Sequence, residues 1–248
     1  MVELQIVCFG EFHVTLGGRE LRGFPTEKVR ALLAYLAIEG RAHQRSELAQ
    51  LLWPGYSPES ARHSLRQALF QLRNLLGDVD ADSPWLLLAR QSVQLNPAAP
   101  VRVDVITFTQ LLAAAKAHAH ADLAACAACL EGLREAAALY GGDFLAGFAV
   151  ADSDPFEEWR RILQEQLHIE LLDVLTQLAN AAERTVFEML EQYRCESLAG
   201  DEHPGVRRNL QHRFEAWSRA FVRSRLTETR NGLLLYALAS YMLVKGLG

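Results

Sequence analysis

A chain of 248 residues, half of them hydrophobic, can bury a substantial core and divide into more than one domain. A net charge of −5 weighs against coating nucleic acid by bulk charge, and four scattered cysteines weigh against a disulfide-stapled secreted module. The charge is uneven, because residues 1–77 hold 9 Lys+Arg against 7 Asp+Glu whereas residues 78–180 hold 6 against 15. Attraction to phosphate acts within about a Debye length, ~10 Å at moderate salt, so a local face counts for more than the whole-chain balance. The opening MVELQIVCFG has an acid at Glu3 and no basic stretch ahead of a long apolar run. A signal peptide is therefore not expected, and a cytoplasmic protein is.

Residues 4–16 read as strand: Leu4, Ile6 and Cys8 alternate with Gln5 and Val7, then Phe12, Val14 and Leu16 alternate with Glu11, His13 and Thr15, and Gly17-Gly18 follows as a turn. A helix is predicted over 26–39, capped by Thr26, with Val29, Leu32, Leu33 and Leu36 buried and Gly40 at its end. Ser46 is expected to cap a short helix over 47–53, stopped by Pro54-Gly55. In the next stretch, SPESARHSLRQALFQLRNLLG, Leu65, Ala68, Leu69, Leu72 and Leu76 fall at i, i+3, i+4, i+7 and i+11, one continuous apolar stripe. Ser57 as cap, Pro58 in the first turn and Gly77 at the left-handed end define both termini. The opposite face carries Arg62, His63, Arg66, Gln67, Gln71, Arg73 and Asn74, and Glu59 is the only acid of the stretch. Arginine and glutamine bond base edges in the major groove and phosphates repel carboxylates, so this face suits DNA.

Asp78, Asp80 and Asp82 have the alternating spacing of a calcium loop, but Ser83 stands where glycine is needed and Ala89 where the last carboxylate belongs. They are expected to form a solvated acidic loop. Residues 85–88 and 93–95 read as two strands joined around Arg90-Gln91-Ser92. Strands, three helices and a hairpin, in that order, make an OmpR-type winged helix.

Residues 104–116 and 122–140 read as alanine-rich helices, and 155–183 as a longer one with a broad apolar face of Trp159, Ile162, Leu163, Leu167, Leu171, Val174, Leu175 and Leu178. Stacked helix pairs are expected. Cys126-Ala-Ala-Cys129 has the spacing of a redox or zinc half-site, yet it falls inside a helical pattern with no second pair at finger spacing, so core packing is expected. His118 and Asp122 share a helix face that His120 does not, too few groups for a metal site. With no Gly-rich phosphate loop, nucleophile elbow or paired-carboxylate motif in the sequence, neither an enzyme nor a cofactor or metal is expected. Residues 233–244 form an apolar run too short to span a bilayer of ~30 Å at ~1.5 Å per residue, and a buried terminal helix is expected there.

The runs TEKVRALLAYLAIEG, RSELAQLLWP, SARHSLRQALFQLRNLLGD, VDVITFTQLLAAA, ALYGGDFLAGF and PFEEWRR resemble the Streptomyces antibiotic regulatory protein (SARP) family over residues 2 to about 180. The tryptophan after the second helix, the LR-x-x-LG helix end and the GDFL-x-GF segment carry the resemblance. It implies a fold that is mostly α with small β elements: an OmpR-type winged helix-turn-helix over 1–100, then an α-helical, tetratricopeptide-like bacterial transcriptional activation domain over 101–183. Residues 184–248 would form a helical segment without an assigned role. The function implied is a sequence-specific transcription regulator, an activator that binds double-stranded DNA as a homodimer on direct repeats and contacts RNA polymerase holoenzyme.

By the same resemblance, His63, Arg66, Gln67, Phe70, Gln71, Arg73 and Arg90 would contact DNA; Arg62 on the same helix face and Gln91 and Ser92 beside Arg90 complete the expected set. The family's usual wing glycine is absent from ARQSVQL, and Phe70 stands where small polar residues are common. The competing expectation is a protein-interaction scaffold or sensor built on a winged helix that no longer binds DNA.

Overall fold

The alternating N-terminal residues form β1 (Leu4–Val7) and β2 (His13–Leu16), antiparallel with Ile6 opposite Val14, and β3 (Arg19–Glu20) joins β2 across the Gly17-Gly18 turn. This is seen in a computed structural model that describes residues 2–78, 83–119, 123, 126–197, 204–223, 236–237 and 240. The strand predicted over 4–16 is not continuous. Between β1 and β2, Phe9 and Glu11 leave the ladder and bridge to Phe144 and Ala146 instead.

Three helices follow. α1 (Glu27–Glu39) is capped by Thr26, whose Oγ1 accepts the Val29 N–H at 3.3 Å, and ends at Gly40 in the left-handed region. α2 (Arg45–Leu52) starts earlier than expected. Gln44, not Ser46, is its cap residue, and the Glu47 carboxylate accepts the Gln44 N–H at 3.1 Å. α3 (Pro58–Leu76) has the predicted ends, with Ser57 Oγ accepting the Ser60 N–H at 3.3 Å and Gly77 left-handed. Leu65, Leu69, Leu72 and Leu76 of α3 pack with Val29, Leu32, Leu33 and Leu36 of α1 and Leu48 and Leu52 of α2 in one buried core.

After α3, β5 (Leu86–Leu88) and β6 (Ser92–Leu95) form the expected hairpin, and β4 (His43–Gln44), just ahead of α2, adds to the β6 side to give the order β4-β6-β5. Three helices with this hairpin beside the third constitute a winged helix. β7 (Val101–Val103) then returns to the first sheet parallel to β1, in the order β3-β2-β1-β7.

The helical part begins at once with α4 (Asp104–Ala117), which packs on α5 (Ala127–Leu139), and continues in α6 (Asp154–Ser197). The apolar face of α6 is narrower than expected. Phe156, Leu167 and Val174 are buried, but Ile162 and Leu175 lie about 100° around the helix from Leu163 and Val174 and are exposed. Residues 1–178 are one compact unit, so the change of architecture near residue 100 is not a break in the core, which runs from Leu4 to Val174.

Several contacts make that unit continuous. The Asp104 carboxylate accepts the N–H groups of Cys8 at 2.9 Å, Phe9 at 2.8 Å and Val105 at 2.8 Å. Leu145 N–H donates to Cys8 O at 2.7 Å, and Gly142 comes so close to the first sheet that a Cβ on it would lie 3.2 Å from Gly10 Cα. Trp159 Nε1 donates to Glu39 at 3.0 Å, and Ser153 Oγ donates to Leu51 O at 2.8 Å. The second unit, residues 179–248, includes α7 (Pro204–Arg223), whose Trp217 stacks on Tyr236 at 5.8 Å. Most of the apolar run 233–244 lies outside the described residues. Among those described, no helix is long and apolar enough to cross a membrane.

Two stability predictions follow from buried polar groups. Asp104→Ala leaves the Cys8 and Phe9 N–H groups without their acceptor, at about 1–3 kcal/mol each, which a drop in the urea unfolding midpoint would register. His43 is buried on β4 against Tyr35, and its Nε2 has no hydrogen-bond partner among the described residues. Burial, with Arg41 nearby, holds its imidazole below the ordinary 6.5. A depressed folded-state value means the unfolded chain binds the proton more readily, so this contribution is present above pH 6.5 and lost as pH falls through the folded-state value. His43→Leu is expected to flatten that part of the pH dependence in unfolding curves measured on either side of pH 6.5.

Candidate nucleic-acid interface

The burial of α3's leucines turns its other side outward. Arg62, His63, Arg66, Gln67, Phe70 and Asn74 are exposed, and Gln71 and Arg73 are half-buried. Phe70 is 62% exposed, too open for a core role.

The wing is joined to α2 rather than projecting freely. The Arg45 N–H donates to Gln91 O at 2.8 Å and Arg45 Nε to Ala89 O at 3.2 Å, while the Ala89 N–H donates to Ser92 O at 2.9 Å and closes the turn. Among the described non-glycine residues, positive φ occurs at Leu145 and Asp152 and at no wing residue, so this turn has no need of the missing glycine. Ser92 lies in β6 opposite Gln44 and is half-buried, which gives it a structural place.

Together these contacts frame a concavity of about 540 Å³ between the start of α2, the first half of α3 and the wing turn. Arg45, Arg62, Arg66 and Arg90 converge there with Gln44 and Gln91, and among the described residues no carboxylate lines it. Guanidinium groups present planar forks of donors suited to phosphate oxygens and guanine edges. On the other flank of α3, Gln67 and Gln71 line a recess with Lys28 and Tyr56. The Lys28 ammonium stands 5.6 Å from the Trp53 ring centroid, and burial lowers its pKa.

Two expectations are corrected. Arg73 does not join the outward set: Nη2 donates to Asp78 O at 2.9 Å and Nε is buried, because the helix end folds back on the loop that follows it. Asp78 is not part of a solvated loop. It is buried, and its carboxylate accepts the Trp85 N–H and, at 2.9 Å, the Leu86 N–H, so it fixes the start of the hairpin. Asp80 and Asp82 lie outside the described residues. Of the predicted residues, Arg62, Arg66, Arg90 and Gln91 share the concavity, while His63, Gln67, Phe70 and Gln71 occupy the face beside it. Sequence reasoning missed Gln44, Arg45 and Lys28. The available signal was an arginine next to the expected cap, Ser46, and two residues before the first acid of the short helix, Glu47.

No protein-family model and no curated protein matches the chain. Among solved structures, the fold is similar to that of Mycobacterium tuberculosis EmbR in complex with a low-affinity phosphopeptide, with a TM-score of 0.56 and 20% sequence identity. The match covers 100% of this chain and 70% of that one, and at this identity the likeness is one of fold.

Removing the Asp78 carboxylate should loosen the wing without touching the outward arginines. Asp78→Ala is expected to destabilise the protein by about 2–4 kcal/mol, because two N–H groups at the hairpin start lose their acceptor. Urea unfolding followed by tryptophan fluorescence, which includes Trp85, measures it.

Proposed function

We propose that the chain is a sequence-specific transcription regulator of the SARP type that binds double-stranded DNA and activates transcription. The observation that carries this reading is the convergence of Arg45, Arg62, Arg66 and Arg90 from three elements on one concavity that no carboxylate among the described residues lines. An α-helix with its side chains is about 10–12 Å across and the major groove about 12 Å wide, so α3 can enter it. In that position Arg66 and Gln67 face base edges, with His63, Phe70 and Gln71 beside them. Arg45, Arg62 and Arg90 with Gln91 meet the phosphates that flank the groove.

The fold shared with EmbR is compatible with the same reading. Residues 78–180, with 15 acids against 6 bases, are poorly suited to DNA. We assign the helical part, as the start of a tetratricopeptide-like array, to contact with RNA polymerase holoenzyme and to pairing of two copies on a direct repeat.

The second reading, a scaffold or sensor, draws on the inward turn of Arg73 and the exposed Phe70, which leave fewer donors and one apolar anchor on the α3 face. Selection from a random duplex library followed by binding across a salt series separates the two. A regulator enriches a defined site and weakens with a log–log slope of ~0.9 per neutralised phosphate. Arg45→Ala and Arg90→Ala should each reduce that slope by ~0.9 with the preferred site unchanged. Arg66→Ala should cost about 1–3 kcal/mol and relax the preference at one base pair. A scaffold is retained on no duplex at any salt, and that result would remove the regulator reading.

A further inference from the structure

We propose that His118, Cys126 and Cys129 form a binding site for a thiophilic divalent cation of the zinc class, closing the corner between α4 and α5. The sequence alone placed both cysteines inside one helix. Instead, α5 begins at Ala127 and Cys126 is the extended residue before it, with φ −92° and ψ 97°. Cys129 sits in the first turn of α5 and is buried. At the end of α4, His118 is likewise extended, with φ −71° and ψ 122°, which releases its ring from the helix and brings it to the sulfurs.

His118 Nδ1 lies 3.0 Å from Cys129 Sγ and 3.4 Å from Cys126 Sγ, and the three donor atoms all lie within 4.8 Å of one another. A tetrahedral ion with metal–sulfur bonds of about 2.3 Å and a metal–nitrogen bond of about 2.0 Å sets nitrogen and sulfur about 3.5 Å apart. The His118–Cys129 edge therefore needs to open by only about half an ångström to admit the ion.

The donor set selects the class of metal. Two thiolates and an imidazole favour zinc and its softer neighbours over magnesium or calcium, which take oxygen. Access is graded, with His118 exposed, Cys126 half-buried and Cys129 buried. With His118 exposed and Cys126 half-buried, solvent can supply a fourth ligand such as water, and a cavity of about 340 Å³ with Lys116 and Asp173 in its lining lies beside His118. His120 and Asp122, adjacent in sequence, lie outside the described residues.

Binding forms two metal–sulfur bonds and one metal–nitrogen bond. The two thiol protons pass to solvent, the imidazole binds as the neutral ring, and the oxidation states do not change. The ion then ties the end of α4 to the start of α5 across eight residues of chain, counted from His118 to Cys126. Cys8 has no part in this. It is buried in the first sheet, where burial pushes its thiol well up.

The test is a cobalt(II) titration of the reduced, chelator-treated full chain, read by absorption. The expected result is one equivalent bound, with a thiolate-to-cobalt charge-transfer band and the visible bands of tetrahedral coordination, displaced by one equivalent of zinc. Zinc should also raise the melting temperature of the wild type. Cys126→Ser and Cys129→Ser should each abolish the charge-transfer signature of a two-sulfur site, and His118→Ala should weaken binding by about tenfold or more. Cys8→Ser and Cys195→Ser should leave the spectrum unchanged. Circular dichroism confirms that each variant is folded, and the wild-type titration decides the matter if one is not. Absence of the charge-transfer band in the reduced wild type overturns the proposal, as does its persistence in the Cys126→Ser/Cys129→Ser double variant. Failure to bind cobalt together with ready formation of a Cys126–Cys129 disulfide overturns it in favour of a redox pair. None of these readouts involves DNA.

Discussion

Helix α3 can bury its leucines in one orientation, and that orientation decides where its arginines go. Leu65, Leu69, Leu72 and Leu76 are all 2% exposed or less, and each buried leucine is worth about 1.5–3 kcal/mol. Rolling the helix by a quarter turn would forfeit most of this and push Arg62 and Arg66 toward the core. The outward set is thus held in place by the core rather than by contacts of its own. α2 and the wing build on that fixed face. Once α3 is seated, Arg45 at the start of α2 reaches the wing turn through Gln91 O and Ala89 O, and the concavity has three walls instead of one.

The winged helix is also not carried on a loose tether. Asp104, the first residue of α4, bonds the backbone where β1 ends, and the segment that follows α5 returns to the same place through Leu145 and Gly142. Trp159 on α6 reaches α1 through Glu39, and its ring also meets Tyr35, Phe144 and Phe156. The helical pair and the winged-helix elements therefore share one core, and Trp159 and Ser153 lead directly from α6 and its N-terminal approach to α1 and α2.

Legibility in the sequence followed the range of the forces involved. The stripe of α3, its serine cap and its terminal glycine are local, and all could be read directly; so could α1 and the two hairpin strands. The strand predicted over 4–16 broke at Phe9 and Glu11 because their partners, Phe144 and Ala146, come from far along the chain. Asp78 was misread over a shorter range, because its partners Trp85 and Leu86 belong to a hairpin that must first fold back beside it. The half-buried place of Arg73 follows instead from the turn of the chain at the helix end, which brings Asp78 O to its guanidinium. Alanine-rich composition hid the start of α5, since alanine suits a helix everywhere and marks no boundary. On α6, Ile162 and Leu175 are as apolar as their neighbours, and only the angle around the helix separates them from the buried stripe.

The central claim is geometric: the outward side of α3, with the wing beside it, meets a duplex. A photoreactive benzophenone amino acid introduced in place of Phe70, at the middle of that side, tests it most directly, with the same group in place of Ile169 on α6 as a comparison. The two positions are similarly exposed, at 62% and 57%. On irradiation with the selected duplex, the account predicts a crosslink to DNA from position 70 and none from position 169. No crosslink from position 70, or equal crosslinking from both, would contradict it.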